Sequence, residues 1–207
     1  MSTRIGKGLD KVIAFLDHTS RVAVWIGGGL LIASAFVIGA EVLLRRLGGV
    51  TTRGADEFSY YVLAISTSWA FSFALLRKAH IRVDALYVLL PSSLKATLDV
   101  LALLSLAVFS SIASYVVLFG TLSRSITRGT ASNTAWQTPL WIPQGLWFLG
   151  LALFSVTVLV LLVRTIWALI VERDFQVVER YAGSQTLENE IEEALSDKEV
   201  TKLEGTS

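Results

Sequence analysis

The sequence contains no cysteine, which excludes disulfides and thiolate metal sites. Charged residues make up only 17% of the 207 residues, whereas hydrophobic residues make up 53%, and the mean hydropathy is +0.61. Because soluble domains carry about 25% charged residues, this composition indicates a membrane protein. The two histidines, His18 and His80, belong to no recognisable triad motif, and no glycine-rich phosphate loop is present.

Four stretches without Asp, Glu, Lys, Arg or His are each long enough to cross a bilayer core, which needs about 20 apolar residues per helix. They are Val22 to Ala40, Phe58 to Leu76, Val100 to Ser123 and Pro143 to Val163. We therefore predict an all-α membrane protein with four transmembrane helices, over about residues 22–44, 58–76, 94–123 and 143–167. Ala33-Ser34-Ala35 resembles a signal-peptidase site, but the stretch continues uncharged to Ala40, so we expect a retained span.

The spans divide the chain into a leader over 1–21, a membrane domain over 22–170 and a tail over 171–207. Eleven Lys and Arg residues fall in the leader, after the second span or at the start of the tail, against five in the other two loops. By the positive-inside rule, both termini are predicted to be cytoplasmic. The sequence VDALYVLL, between spans two and three, is too short to cross and is predicted to lie in the membrane interface.

The tail differs in charge from the rest of the chain, with ten acidic and four basic residues from Glu172 onward. Leu187, Ile191 and Leu195 recur every fourth residue among its carboxylates, a pattern typical of a narrow amphipathic helix. We expect a tail that is partly disordered or helical, acting as a solvated extension or as a docking helix. The basic residues elsewhere flank the spans, so we do not expect nucleic-acid binding.

Ion-coupled transporters usually place ionisable residues inside their helix bundle, and these spans have none at mid-depth. Glu41 comes closest, about one turn from the outer end of the first span, where Arg45 can pair with it along the helix. Asp56 and Glu57 open the second span, where carboxylates complement the helix dipole. We therefore predict that the chain does not form a translocation path alone.

The second span carries small residues at helical spacing, among them Ser68 and Ser72, on a face that lets another helix approach closely. The breadth of this face suggests more partner helix than four spans supply. We predict that Ser68 and Ser72 have a structural or partner-contact role.

The sequence LRKAHIRVD follows the second span and concentrates charge at the membrane edge. Its Arg77 and Arg82 are predicted to lie among lipid headgroups, each contributing on the order of 1 kcal/mol to membrane attachment. His80 and Asp84 stand one turn apart and can share a hydrogen bond that fixes where the span ends. Two such side chains beside basic residues are too few for a metal site, so no metal is predicted.

Several motifs together resemble the small membrane subunit of the tripartite ATP-independent periplasmic transporters, the DctQ-like family. They are EVLLRR, GADEFSYYV, HIRVDALYVLLP and IPQGLWFLG. The resemblance implies a multi-pass protein of the bacterial cytoplasmic (inner) membrane that binds a large multi-span permease. It implies further that the permease moves an organic acid or related solute with sodium ions, after a periplasmic substrate-binding protein delivers it. The chain itself is then expected to be a non-catalytic scaffold without a cofactor, with sodium ions on the large subunit only.

Other classes of function require features that the sequence lacks or leaves open. A self-sufficient small transporter needs a deep carboxylate, and a membrane enzyme needs histidine and acidic residues clustered at one interface. A membrane assembly or signalling protein that acts through its acidic tail remains the alternative.

Overall fold

The computed structural model describes residues 4–49, 54–78, 92–134, 136–172 and 181. Within these residues lie four helices that are long and apolar enough to cross a membrane, and no strands. The helices are α1 (Arg4–Gly48), α2 (Ala55–Leu76), α3 (Ser92–Tyr115), α4 (Ser123–Arg128) and α5 (Trp141–Trp167). A π-helical segment, Val116–Leu122, joins α3 to α4 without a break, and another, Ala168–Glu172, extends α5. The predicted all-α fold with four candidate spans is confirmed.

Helix α1 is continuous over 45 residues and includes most of the predicted leader as well as the first span. In the part of α1 that was predicted as a leader, the buried residues are Gly6, Ile13, Leu16 and Ser20. Successive members are seven, three and four residues apart, so they lie on one face of the helix. At 1.5 Å per residue the helix is about 68 Å long. Because a bilayer core is about 30 Å thick, part of α1 extends beyond it.

Left-handed residues mark the ends of the first three long helical segments. Gly49 after α1 has φ 63° and Gly129 after α4 has φ 59°, a conformation that costs glycine little because it has no Cβ. Lys78, which follows α2, adopts the same region with φ 54°. There the backbone N–H of Arg77 donates to the carbonyl of Phe73 at 2.9 Å and satisfies one of the last carbonyls of the helix.

The long helices pack side by side in the order α1, α2, α5 and α3, with α1 also reaching α5. Helix α3 makes its main contacts with α5, which therefore lies between α2 and α3. Successive long helices in the sequence run in opposite directions. We call the end that holds Asp10 and Arg164 the terminal end, and the end that holds the first turn of α2 and residues 129–140 the loop end.

An apolar cluster fills the terminal half of this arrangement. Its deeply buried members include Leu103 of α3, at 2% exposure, and Val158 and Leu161 of α5, at 0% and 2%. Ile13 of α1 and Leu75 of α2 join the cluster. All four long helices are therefore tied together at the terminal end, where the charged residues described below also lie.

Candidate functional site

Hydroxyl groups and glycines hold α1 against α2. The Ser66 hydroxyl donates a hydrogen bond of 2.9 Å to the carbonyl oxygen of Gly27. A Cβ placed on Gly27 would come within 3.2 Å of the Ser66 Cα, so the two backbones approach each other closely. In a membrane, where apolar burial gives helices little reason to associate, such close packing and interhelical hydrogen bonds provide the attraction.

The small-residue face of α2 packs against α5 of the same chain. Ser68 is 1% exposed, and a Cβ added to Gly150 of α5 would overlap it. Ser72 is fully buried and accepts a hydrogen bond of 3.4 Å from the Thr157 hydroxyl. The two serines that were predicted for a structural or partner-contact role therefore have neighbours within the chain.

Helix α5 is also joined to α3 by hydroxyl groups. The Ser155 hydroxyl donates to the carbonyl oxygen of Ser110 at 2.9 Å and lies 2.8 Å from the Ser114 hydroxyl. On its other side, the indole N–H of Trp69 donates to the carbonyl oxygen of Leu146 at 2.9 Å. The polar contacts among the helices at mid-depth are thus made by uncharged groups.

At the loop end of the protein, Glu57 of α2 binds the loop that joins α4 to α5. It is buried, at 8% exposure, and accepts hydrogen bonds from the hydroxyl of Tyr61, at 2.5 Å, and from the hydroxyl of Thr134. Neighbouring Asp56 is exposed. Both carboxylates lie in the first turn of α2, but only Glu57 reaches across to the loop that joins α4 to α5.

This loop is folded on itself as well as held to α2. The backbone N–H of Ser132 donates to the carbonyl of Thr138 at 2.9 Å, and that of Leu140 donates to the carbonyl of Thr130 at 3.1 Å. The indole ring of Trp136 occupies the place where a side chain on Gly54 would lie. Residues 130–140 consequently cover the first turn of α2.

Ion pairs connect α1 with the end of α2 at the terminal end. Asp17 pairs with Arg21 at 2.7 Å, one turn further along α1, and with Arg77 at 3.3 Å. The Arg77 side chain is 43% exposed, and its guanidinium also lies 5.2 Å from the centre of the Phe73 ring. Arg77, predicted to lie among headgroups, thus also joins two helices.

Arg164 is one of the functional-site residues that the sequence analysis missed, since it was counted only as a basic residue at the start of the tail. Its side chain is 2% exposed, and its Nε donates to Asp10 Oδ1 at 2.8 Å. The Tyr181 hydroxyl donates to the same oxygen at 3.0 Å. The signal that could have indicated its partner was the helical spacing of Gly6, Ile13, Leu16 and Ser20 in the leader. This spacing indicates that the leader, with Asp10, continues the helix of the first span.

The loop-end half of α1 has a different character, because little of the chain packs against it. Among residues 31–48 only Ser34 is buried, and its hydroxyl donates to that of Ser59 at 3.2 Å. Glu41 is half-buried and Arg45 is exposed. Their pairing along the helix stays a prediction.

Three predicted site residues, His80, Arg82 and Asp84, lie outside the described residues, as do the VDALYVLL segment and all of the acidic tail beyond Glu172 except Tyr181. The predictions for them therefore stay predictions.

Three carboxylates at the two ends are engaged by groups of the same chain, and this limits what they do chemically. Glu57, Asp17 and Asp10 each accept hydrogen bonds from two side chains. No group of three His, Cys, Asp or Glu side chains comes together within the described part of the chain. The polar clusters at both ends thus fasten helices and a loop to one another.

Comparison with protein families supplies the identification. The family model of the DctQ component of tripartite ATP-independent periplasmic transporters matches residues 34–167, about two thirds of the chain. The chain belongs to the DctQ family. It is accordingly a small permease component of such a transporter, and a multi-pass protein of the bacterial inner membrane, in agreement with its four candidate spans.

The DctQ match runs from the loop-end half of α1 to the last residue of α5. Arg164 lies inside it, whereas Asp10 and Tyr181 lie outside it. Neither the curated proteins nor the solved structures include a match to this chain.

Proposed function

We propose that the chain is the non-transporting small subunit of a sodium-coupled, binding-protein-dependent secondary transporter for an organic acid or related small solute. In this proposal it scaffolds and stabilises a large permease subunit, which carries the sodium and substrate sites. A periplasmic substrate-binding protein delivers the solute, and lipids cover the remaining apolar surface. Membership of the DctQ family supports the assembly, and the internal engagement of Glu57, Asp17 and Asp10 supports a structural role.

The observation that carries the proposal is the unoccupied surface of α1 at the loop end. Ile32, Phe36, Leu43 and Leu47 share one face and are 63%, 75%, 60% and 85% exposed. The stretch over 31–48 is about 27 Å long at 1.5 Å per residue, nearly the thickness of a bilayer core. A helix segment of this length that buries little against its own chain offers a large surface to a second membrane protein.

A stripe of small residues on α1 defines where a partner helix fits. Gly28, Ala35 and Gly39 lie along one side, and a Cβ added at either glycine meets no atom of the described residues within 4 Å. Small residues let helix backbones approach closely in membranes. We therefore assign this stripe to contact with the large subunit.

The test is to fill the stripe while leaving the chain's own packing unchanged. Gly39→Leu adds volume where no atom of the described part of the chain lies within 4 Å, so the isolated subunit should fold as before. If a permease helix packs there, the added side chain should abolish co-purification of the two subunits in detergent and solute uptake in proteoliposomes. Gly8→Leu is the matched control, because it also adds a leucine in open space but lies at the terminal end of α1, away from the stripe and the exposed loop-end face.

The proposal fails if Gly39→Leu co-purifies and transports as the unaltered subunit does. It also fails if the small subunit alone transports solute in liposomes, since that would make it a complete transporter. Equal losses in Gly39→Leu and Gly8→Leu would contradict the assigned stripe, because an added leucine would then act without regard to where it lies on α1.

We also propose that both termini are cytoplasmic, which the distribution of Lys and Arg supports. Because the chain has no cysteine, single cysteines can be introduced without background. Thr127→Cys, exposed at the end of α4, should react with a membrane-impermeant maleimide in intact cells. Lys7→Cys should react only after permeabilisation, and the reverse pattern would overturn the orientation.

A further inference from the structure

Tyr181 belongs to the C-terminal tail, yet it contacts the first and last long helices. Its hydroxyl donates to Asp10 Oδ1 at 3.0 Å, and the Arg164 guanidinium lies 5.7 Å from the centre of its ring. Asp10 in turn accepts the Arg164 Nε–H at 2.8 Å. The three residues stand at positions 10, 164 and 181, so the contact joins the two ends of the chain.

The ring of Tyr181 is used as well as its hydroxyl. It packs against the apolar cluster that includes Ile13, Leu75 and Leu161. It also borders a cavity of about 330 Å³ at the terminal end, together with Asp10 and Arg77. A tyrosine suits such a place, because its ring favours apolar contact and a cation, while its hydroxyl needs a hydrogen-bond partner.

We propose that Asp10 and Arg164 form a docking site for the chain's own C-terminal tail, with Tyr181 as the residue that occupies it. The Arg164 side chain is 2% exposed, so it provides a fixed cation on which the tyrosine ring rests. Asp10 provides the acceptor. Neither Asp10 nor Tyr181 lies within the residues that match the DctQ family, whereas Arg164 does, so two of the three residues of this site lie outside the part shared with it.

Docking fixes where the acidic part of the tail begins. Residues 182–207 contain seven acidic and two basic residues, and they start directly after the docked tyrosine. The exposed Lys7 and Lys11 of α1 flank Asp10 at the same end. In this proposal the site tethers the negative segment, whose first carboxylate is Glu188, to the end of the protein where these lysines lie.

The absence of cysteine allows a direct test by spin labelling of the full chain in lipid nanodiscs. Labels at Lys11→Cys and Ala182→Cys report the distance between α1 and the residue after the anchor. We expect a narrow distance distribution that is lost in Tyr181→Ala. Tyr181→Phe keeps the ring over Arg164 but loses the hydrogen bond to Asp10, so it should broaden the distribution less.

Two controls separate docking from general effects on the fold. Tyr60→Ala removes a tyrosine that is 72% exposed on α2, and it should leave the distribution narrow. A second label pair, Lys11→Cys with Thr127→Cys, spans the helices and should be unaffected by Tyr181→Ala. The inference is overturned if Tyr181→Ala leaves the first distribution narrow, if Tyr60→Ala broadens it equally, or if Tyr181→Ala broadens both pairs. Because the subunit is measured alone, the result does not depend on the proposed large partner.

Discussion

The ion pair between Asp10 and Arg164 is predicted to respond unequally to the loss of either partner. Asp10→Ala removes the acceptor at 2.8 Å from a guanidinium that is 2% exposed. A hydrogen bond to a charged group contributes about 1.5–3 kcal/mol. With so little water available to replace it, we expect the upper part of that range, about 2–3 kcal/mol lost from the free energy of unfolding.

Arg164→Met leaves the opposite situation. The methionine fills much of the apolar volume of the arginine, and Asp10 is 36% exposed and still accepts the Tyr181 hydroxyl. Water can therefore solvate the remaining carboxylate, as it does for exposed ion pairs. We expect a loss of at most about 1.5 kcal/mol, the lower end of the same range.

The measurement is reversible unfolding of the purified subunit in mixed detergent micelles, followed by tryptophan fluorescence. The double variant Asp10→Ala/Arg164→Met completes a cycle and should lose less stability than Asp10→Ala alone, because no buried cation then loses the hydrogen bond to Asp10. Arg21→Met, which breaks a pair whose arginine is 53% exposed, is the control and should cost about 0–1 kcal/mol. A larger cost for Arg164→Met than for Asp10→Ala would refute the reasoning.

Three further predictions concern contacts between the helices and at the loop. Gly150→Ala pushes a methyl group into α2 and should lower the free energy of unfolding by about 1–3 kcal/mol. Gly28→Ala places its methyl group in open space and should raise the free energy of unfolding by about 0.5–1 kcal/mol. Equal effects of the two variants in the same assay would contradict the close packing at Gly150. Glu57→Gln weakens the acceptor of Thr134, so hydrogen exchange over residues 130–140 should accelerate while that of α5 stays unchanged. Ser155→Ala should cost about 0.6–1.7 kcal/mol, and no measurable cost would mean that its hydrogen bonds to α3 contribute nothing.

The fold class was predictable because length and hydropathy alone decide whether a helix can cross a bilayer. The division at residue 21 followed charge, yet α1 continues through it. A charged residue marks the end of an apolar stretch in the sequence, but it does not end the helix, because the backbone hydrogen bonds continue past it. The leader's buried residues at spacings of three, four and seven carried that information.

The partners of individual side chains were less accessible to sequence analysis. A stripe containing Ser68 and Ser72 predicts that some helix comes close, but not which one, and here it is α5. Glu57 was placed correctly at the start of α2, whereas its contact with Thr134 joins residues 77 positions apart. Arg164 and Asp10 are separated by 154 positions, so nothing local to either residue indicates a buried pair.

The order α1, α2, α5, α3 has a consequence for how the protein is made. Helices emerge from the ribosome in chain order, so α3 enters the membrane before its main neighbour α5 has been synthesised. Its hydroxyl partner on α5, Ser155, is therefore missing at that stage. Helix α2 likewise waits for α5 to cover Ser68 and Ser72. The pair α1 and α2 can pack before α5 is made, whereas α3 joins the layer only once the last span is complete. A nascent chain stalled before residue 141 would therefore leave α3 without its main neighbour.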